Sequence, residues 1–315
     1  MDKKVVMKIA IMGAGGVGGF YGGRMAKAGE DVVLIARGAH LNALQSRGLR
    51  VESAALGDFA LPDIRATDDP ATVGLVDLVV ICVKTYDIGE AIQAIRPMIG
   101  EETMVIPLLN GVCAAEEIGD AVGSDHVLGG TVYVNANIVE PGVVRHLAMD
   151  RLIYGELRGG SSARCKAVHG MFNAAGIEAE LSPDIRKDIW SKYVAMVAVA
   201  GVTSVLRLPE KTVMDDPNTR ALLVDSMREI EALANCQGIK LDHDLIDKIL
   251  SMLDGKPPDT KPSMLIDLEQ GRRLEVEALQ GTAVRLGKEL GVPTPVNEFI
   301  YAALKLHAEG APAPD

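Results

Sequence analysis

The sequence predicts an α/β protein in which a doubly wound sheet domain is followed by an all-helical domain. Three observations carry this. Short β-branched runs alternate with helical stretches from residue 5 to about 181, the pattern of a parallel sheet covered on both faces. A glycine-rich turn follows the first of those runs directly, and after Ser182-Pro183-Asp184 nothing reads as a strand. The expected boundaries are 1–181 for the sheet domain and 182–308 for the helical domain, with a cleft between them. Residues 309–315, rich in Ala and Pro, are expected to form a disordered tail.

The strands expected in the first domain are 5–12, 32–36, 78–83, 103–108 and 126–135, with helices at 21–28 and 86–95 between them. Glu140-Pro141-Gly142 is a turn joining 131–138 to 143–147, and 152–154 follows, so the sheet should end in antiparallel hairpins. In the second domain Ser182 or Asp184 can cap a helix from about 184 to 206. Further helices are expected at 216–237, 242–253, 263–291 and 295–308, with Lys256-Pro257-Pro258-Asp259 as a loop.

Composition limits the function. The 315 residues carry 32 Lys and Arg against 43 Asp and Glu, a formal net charge of −11. Nucleic acid and anionic membranes reward a basic face and are not expected partners. Hydrophobic residues make up 48%, which excludes general disorder, yet only eleven residues are aromatic, so the core must be aliphatic. Cys82, Cys113, Cys165 and Cys236 lack CxxC spacing, and the six histidines are isolated, so neither a metal site nor a disulfide framework is expected and a cytoplasmic setting is. Seven glycines between Gly13 and Gly23 spoil the N-terminus as a secretion signal. The apolar run 193–202 is short of the ~20 residues that span a bilayer.

Gly13-Ala14-Gly15-Gly16-Val17-Gly18 satisfies G-x-G-x-x-G between a strand and a helix, which makes the first domain Rossmann-type. Gly13 allows the tight turn, Gly15 lets a pyrophosphate approach the backbone, and Gly18 permits close helix–strand packing. The helix N-terminus offers free N–H groups and partial positive charge to the phosphates. The second strand ends in Arg37, where a site for NAD would place an acid for the ribose 2′-hydroxyl. Arg37 favours the 2′-phosphate of NADP, and Lys84, after the strand at 78–83, can add a second charge. The alternative for each is a solvated surface base.

Chemistry is expected at four residues. Asn110, in Asn110-Gly111 after the strand at 103–108, either bonds a substrate oxygen or the nicotinamide ribose of the cofactor, or simply makes a turn. Lys192 stands at the start of an otherwise apolar helix: it either extends its ammonium to solvent or sits in a cleft with a lowered pKa, ready to protonate an alkoxide. Ser263 reads as a helix N-cap, and Glu275 as an exposed ion-pair partner of Arg272.

With these residues in place the chain resembles the ketopantoate reductase (2-dehydropantoate 2-reductase) family. The resemblance rests on residues 8–19, 82–87, Asn110-Gly111, 189–193 and, most specifically, 261–279 with Gly291-Val292-Pro293-Thr294-Pro295. It implies an NADPH-dependent reduction of a small 2-oxo acid, most simply ketopantoate to (R)-pantoate, in pantothenate biosynthesis. It also implies Lys192 as general acid, Glu275 as the carboxylate that orients the substrate, Ser263 on the substrate carboxylate and Asn110 beside it, with Arg37 and Lys84 on the 2′-phosphate. A homodimer is compatible with it. One departure stands out: where the family usually carries asparagines four and eight residues after the lysine, this chain has Met196 and Ala200. Both share the face of Lys192, so that wall is apolar. A 2-hydroxy acid dehydrogenase of the same family acting on a more apolar acid is therefore the alternative, and a non-catalytic NADPH sensor a second one.

Overall fold

The computed structural model describes residues 6–311, whose contacts divide into two compact units. The first runs to Leu109 and resumes over Cys113–Ile185; the second holds Asn110–Val112 and everything from Arg186 onward. The crossing thus falls a few residues after the expected 181/182, because Ile185 packs beneath Gly129 of the first unit.

The first unit opens with β1 (Lys8–Met12), α1 (Gly16–Lys27), β2 (Asp31–Ile35) and α2 (Gly38–Arg47). Three short strands follow, β3 (Leu49–Ser53), β4 (Phe59–Leu61) and β5 (Arg65–Thr67), and then β6 (Leu78–Ile81), α3 (Ile88–Ile95) and β7 (Met104–Pro107). The parallel sheet has the order β5-β2-β1-β6-β7, with Ile9 opposite both Val32 and Leu78. That order reverses at β1, which puts the first turn at the crevice where such sheets bind ligands. Its strands are apolar on both faces, and Ile9, Ile11, Leu34, Val80 and Ile106 are fully or almost fully buried.

The remaining elements of this unit correct one expectation. After α4 (Ala114–Val122), the hairpin β8 (Leu128–Glu140) and β9 (Val143–Glu156) does not extend the parallel sheet. With α5 (Ala163–Ala174) and β10 (Glu178–Leu181), it belongs to a second sheet of order β10-β9-β3-β4, with β8 paired to β9. The short strands β3, β4 and β10 are too brief and too polar to announce themselves, yet they carry the hairpin away from the first sheet. Among the described residues a single isolated bridge, Val105 to Val127, joins the two.

The second unit is helical: α6 (Ile185–Leu206), α7 (Glu210–Asp215), α8 (Pro217–Cys236), α9 (Leu245–Asp254), α10 (Ser263–Glu269), α11 (Thr282–Leu290) and α12 (Pro295–Leu304). Asp216 caps α8 through the N–H groups of Asn218 and Thr219. By length and composition α6, at 22 residues, could cross a membrane; instead Tyr193, Val194, Val197, Ala198 and Val202 lie buried in the helical core. A helix apolar all round is what a core axis requires.

The expected helix over 263–291 is broken. Gly271 takes a left-handed φ of +64°, the chain runs irregularly to Val276, and a single π-helical turn, Glu277–Gly281, precedes α11. Ser263 is the first residue of α10 and does not cap it; the N-cap is Pro262. Arg272 pairs with Asp267, at 2.6 Å, and not with Glu275, because the break turns the two away from helical spacing. Within the expected tail, Gly310 and Ala311 are tied by N–H bonds to the carbonyls of His307 and Gly271; residues 312–315 lie outside the described ones.

Candidate active site

In the first unit the glycine turn leads from β1 into α1. The N–H groups of Gly13 and Ala14 both donate to the Ile35 carbonyl, at 3.2 and 2.9 Å, which fastens the turn to the end of β2. Gly13 sits at φ +96°, open to glycine alone, and a Cβ there would lie 2.7 Å from Val83 Cγ1. On Gly16 a Cβ would lie 2.0 Å from the Ala136 carbonyl oxygen, and on Gly18 2.2 Å from that of Gly13. These glycines are demanded by the protein's own packing. Gly15 is different: a Cβ on it would meet nothing within 4 Å. Its bareness serves no internal contact and leaves the backbone open to a ligand. Gly15 is also the N-cap of α1, which has no side-chain cap and no acid in its first turn, so its leading N–H groups and positive dipole end are not neutralised locally. A pyrophosphate fits that combination.

Arg37 is the N-cap of α2 and its guanidinium is largely exposed. It reaches two carboxylates that no local pattern foretells: Glu90 at 3.2 Å and Asp87 at 3.7 Å. Lys84 stands immediately before a short 3-10 turn, Thr85–Asp87, the last residue of which is that Asp87.

The second unit brings three of the four expected chemical residues together. Lys192 lies two turns into α6. Its Nζ donates to Asn110 Oδ1 at 3.3 Å, and Asn110 Nδ2 donates to Glu275 Oε2 at 3.1 Å. Asn110 thus uses both halves of its amide to hold an ammonium and a carboxylate at once. Burial pushes the Lys192 ammonium down from 10.5 to about 8, against the opposing pull of the Glu275 charge. Glu275 is 6% exposed, in the irregular stretch that breaks the helix. Gly111, at φ +88°, a conformation that favours glycine, turns the chain immediately after Asn110, and a Cβ there would lie close, at 3.2 Å, to the Ala278 carbonyl oxygen. The dipeptide is therefore both a turn and the carrier of a placed amide.

Two bonds clamp α6 to the π-helical turn. Tyr193 Oη donates to the Leu279 carbonyl at 2.6 Å, and Gln280 Nε2 to the Val197 carbonyl at 2.8 Å. Sequence reading did not find these; an aromatic and an amide in apolar runs were the only signals. Ser263 is exposed and stands outside the hydrogen-bonded set. Met196 is half-buried and Ala200 buried, one and two turns beyond Lys192. Among the described residues no cluster of His, Cys, Asp or Glu could hold a metal ion.

In the second unit a lysine poised to lose a proton and an amide bridging it to a carboxylate suit proton donation to a carbonyl oxygen; in the first, the glycine turn suits a dinucleotide. Comparison with known proteins bears on that chemistry. The family model described as ketopantoate reductase PanE/ApbA matches residues 9–159, and its C-terminal counterpart matches residues 184–308. A 2-dehydropantoate 2-reductase of a Nostoc species is 32% identical over 303 residues, 95% of this chain and 94% of its own. A Bacillus subtilis protein described as an uncharacterized oxidoreductase is 30% identical over 96% of this chain and 99% of its own. A crystal structure of a PanE/ApbA family ketopantoate reductase from Ralstonia eutropha is 33% identical, covers 96% of this chain and 98% of its own, and superimposes with a TM-score of 0.89. A D-mandelate dehydrogenase structure with NADH and anilino(oxo)acetate, 23% identical with a TM-score of 0.87, shares the fold.

Proposed function

The chain belongs to the ketopantoate reductase family and is an oxidoreductase, and we propose that it uses NADPH to reduce ketopantoate to (R)-pantoate with Lys192 as general acid. The observation that carries the proposal is the Lys192, Asn110, Glu275 set, in which a lysine with a pKa near 8 faces a fixed amide and a buried carboxylate. A general acid works best with a pKa near the operating pH.

The dinucleotide is held by Gly13, Ala14, Gly15, Gly16, Val17 and Gly18 at its pyrophosphate and by Arg37 and Lys84 at its 2′-phosphate. When bound, it supplies the hydride. The residues of this chain supply the rest. Glu275 accepts from the substrate hydroxyl, Ser263 donates to the substrate carboxylate, and Asn110 fixes the carbonyl oxygen against Lys192. Lys192 Nζ gives its proton to the carbonyl oxygen as that oxygen takes on negative charge, leaving a neutral amine that solvent re-protonates. Asn110 and Glu275 keep the ammonium in one place, so little reorganisation is needed at the moment of transfer. Asp87 and Glu90 compete with a 2′-phosphate for Arg37, so the preference for NADPH over NADH is smaller than two free bases would give.

A second reading is favoured by Met196 and Ala200. Without polar side chains on that face, a buried substrate hydroxyl loses partners worth about 1–3 kcal/mol each, and an acid with a branched or aromatic side chain gains apolar contact instead. NADPH oxidation against ketopantoate and a panel of branched and aromatic 2-oxo acids separates the two readings. A kcat/KM for ketopantoate well above the rest supports the first; a preference for an aromatic acid supports the second. No oxidation with any of them ends both.

A further inference from the structure

Glu275, like Asn110, stands in no regular element, since α10 ends at Glu269 and the π-helical turn opens at Glu277. On its C-terminal side that turn holds it: Leu279 N–H donates to the Glu275 carbonyl at 3.1 Å, and Gly281 N–H to that of Val276 at 2.9 Å. On its N-terminal side the support comes from far along the chain. Leu274 N–H donates to the Ala308 carbonyl at 2.9 Å, and Ala311 N–H to the Gly271 carbonyl at 2.9 Å. Arg273 and Glu309 close the same pairing from outside at 3.0 Å.

The two segments approach through glycines in left-handed backbone, Gly271 at φ +64° and Gly310 at +85°. A Cβ on Gly310 would lie 2.5 Å from the Gly271 carbonyl oxygen and 3.1 Å from the Arg272 carbonyl carbon. One on Gly271 would lie 2.9 Å from Ala311 Cβ. Residues 272–274 belong to no helix or strand; Arg272 N–H reaches back to the Asp267 carbonyl at 2.8 Å, and beyond it the clasp holds the backbone that delivers the carboxylate.

We infer that the clasp of residues 308–311 on 271–274 is a positioning device for Glu275, with Gly310 as the residue that permits it. The inference rests on Glu275 orienting the substrate as proposed above. The clasp sets where the carboxylate meets Asn110 and the 2-oxo acid; it takes no part in proton donation or in holding the dinucleotide.

The test uses the full chain, with Gly310→Ala, and with Ala311→Pro as a milder variant that removes one N–H of the clasp. Each is crossed with Glu275→Ala. The readouts are KM and kcat for the preferred 2-oxo acid, calorimetric binding of its 2-hydroxy acid product, NADPH affinity and melting temperature. Misplacing a positioned group by a fraction of an ångström is expected to raise KM and weaken product binding about tenfold. NADPH affinity should stay within about twofold, and the tenfold effect should vanish in the Glu275→Ala background, as coupled sites require. Gly310→Ala and Ala311→Pro acting equally with and without Glu275 would overturn the inference, as would an unchanged KM in both. If Gly310→Ala fails to fold, the cycle with Ala311→Pro decides. If Glu275→Ala alone leaves KM and product binding unchanged, it is the substrate role of Glu275 that fails, and the inference with it.

Discussion

Lys192 carries the sharpest expectations. With its pKa lowered to about 8 in the unliganded protein, and general-acid reduction needing the protonated form, kcat/KM should be level below that pH and fall as pH rises through it. Glu275 pulls that pKa upward, so Glu275→Gln should move the falling limb to lower pH; a limb that stays put or moves up refutes the coupling. Lys192→Ala should lower kcat about 10²–10⁴-fold with NADPH affinity intact, and near-normal turnover would remove the lysine from the mechanism. At Arg37 two predictions oppose each other. Arg37→Ala should weaken NADPH by about 1.5–3 kcal/mol and barely affect NADH, whereas Glu90→Gln should strengthen NADPH by freeing the guanidinium. Parallel titrations with both dinucleotides check the pair. Arg37 was visible in the sequence because it closely follows a strand; Asp87 and Glu90 were not, because only the folded backbone brings residues some fifty positions away beside it.

The glycine turn shows what sequence can and cannot convey about an element. Its motif is readable because glycine itself is the signal, but the same glycines hid the first turn of α1, which starts at Gly16 and not near 21 as expected. Substitution should separate two kinds of glycine. Gly18→Ala, with its Cβ 2.2 Å from a carbonyl oxygen, should lower stability by about 1–3 kcal/mol or more. Gly15→Ala has open space and should leave the melting temperature nearly unchanged while weakening NADPH. Equal destabilisation by both would mean that Gly15 also serves packing. The break between α10 and α11 is the opposite case: apolar and charged residues from 263 to 291 keep a helical look, and neither the π-helical turn nor the clasp that delivers Glu275 has a local signature. For Glu275 itself, the residues alone offered an ordinary ion pair, and only the family resemblance pointed to chemistry.

For the molecule as a whole, the formal charge of −11 coexists with a site proposed to take two anions, so local placement must override the bulk. Screening should therefore weaken binding when salt is raised, and more for NADPH than for NADH, because the extra phosphate carries about −1.5 to −2 charges. Equal salt slopes for the two would place Arg37 and Lys84 away from the 2′-phosphate. The two-part architecture was readable from the change of pattern after 182, whereas the second sheet was not, since its short strand β3 depends on a partner nearly a hundred residues distant. Asn110–Val112 adds something that pattern could not have suggested, because these three residues leave the sheet unit, join the helical one and return. The chain therefore passes between the units three times, and the helical half is not a cassette. A gene segment beginning at Arg186 would inherit the lysine and the glutamate but not the amide that joins them. Recombination that moved it onto a new partner would inherit the proposed set only where the host already had an asparagine in place.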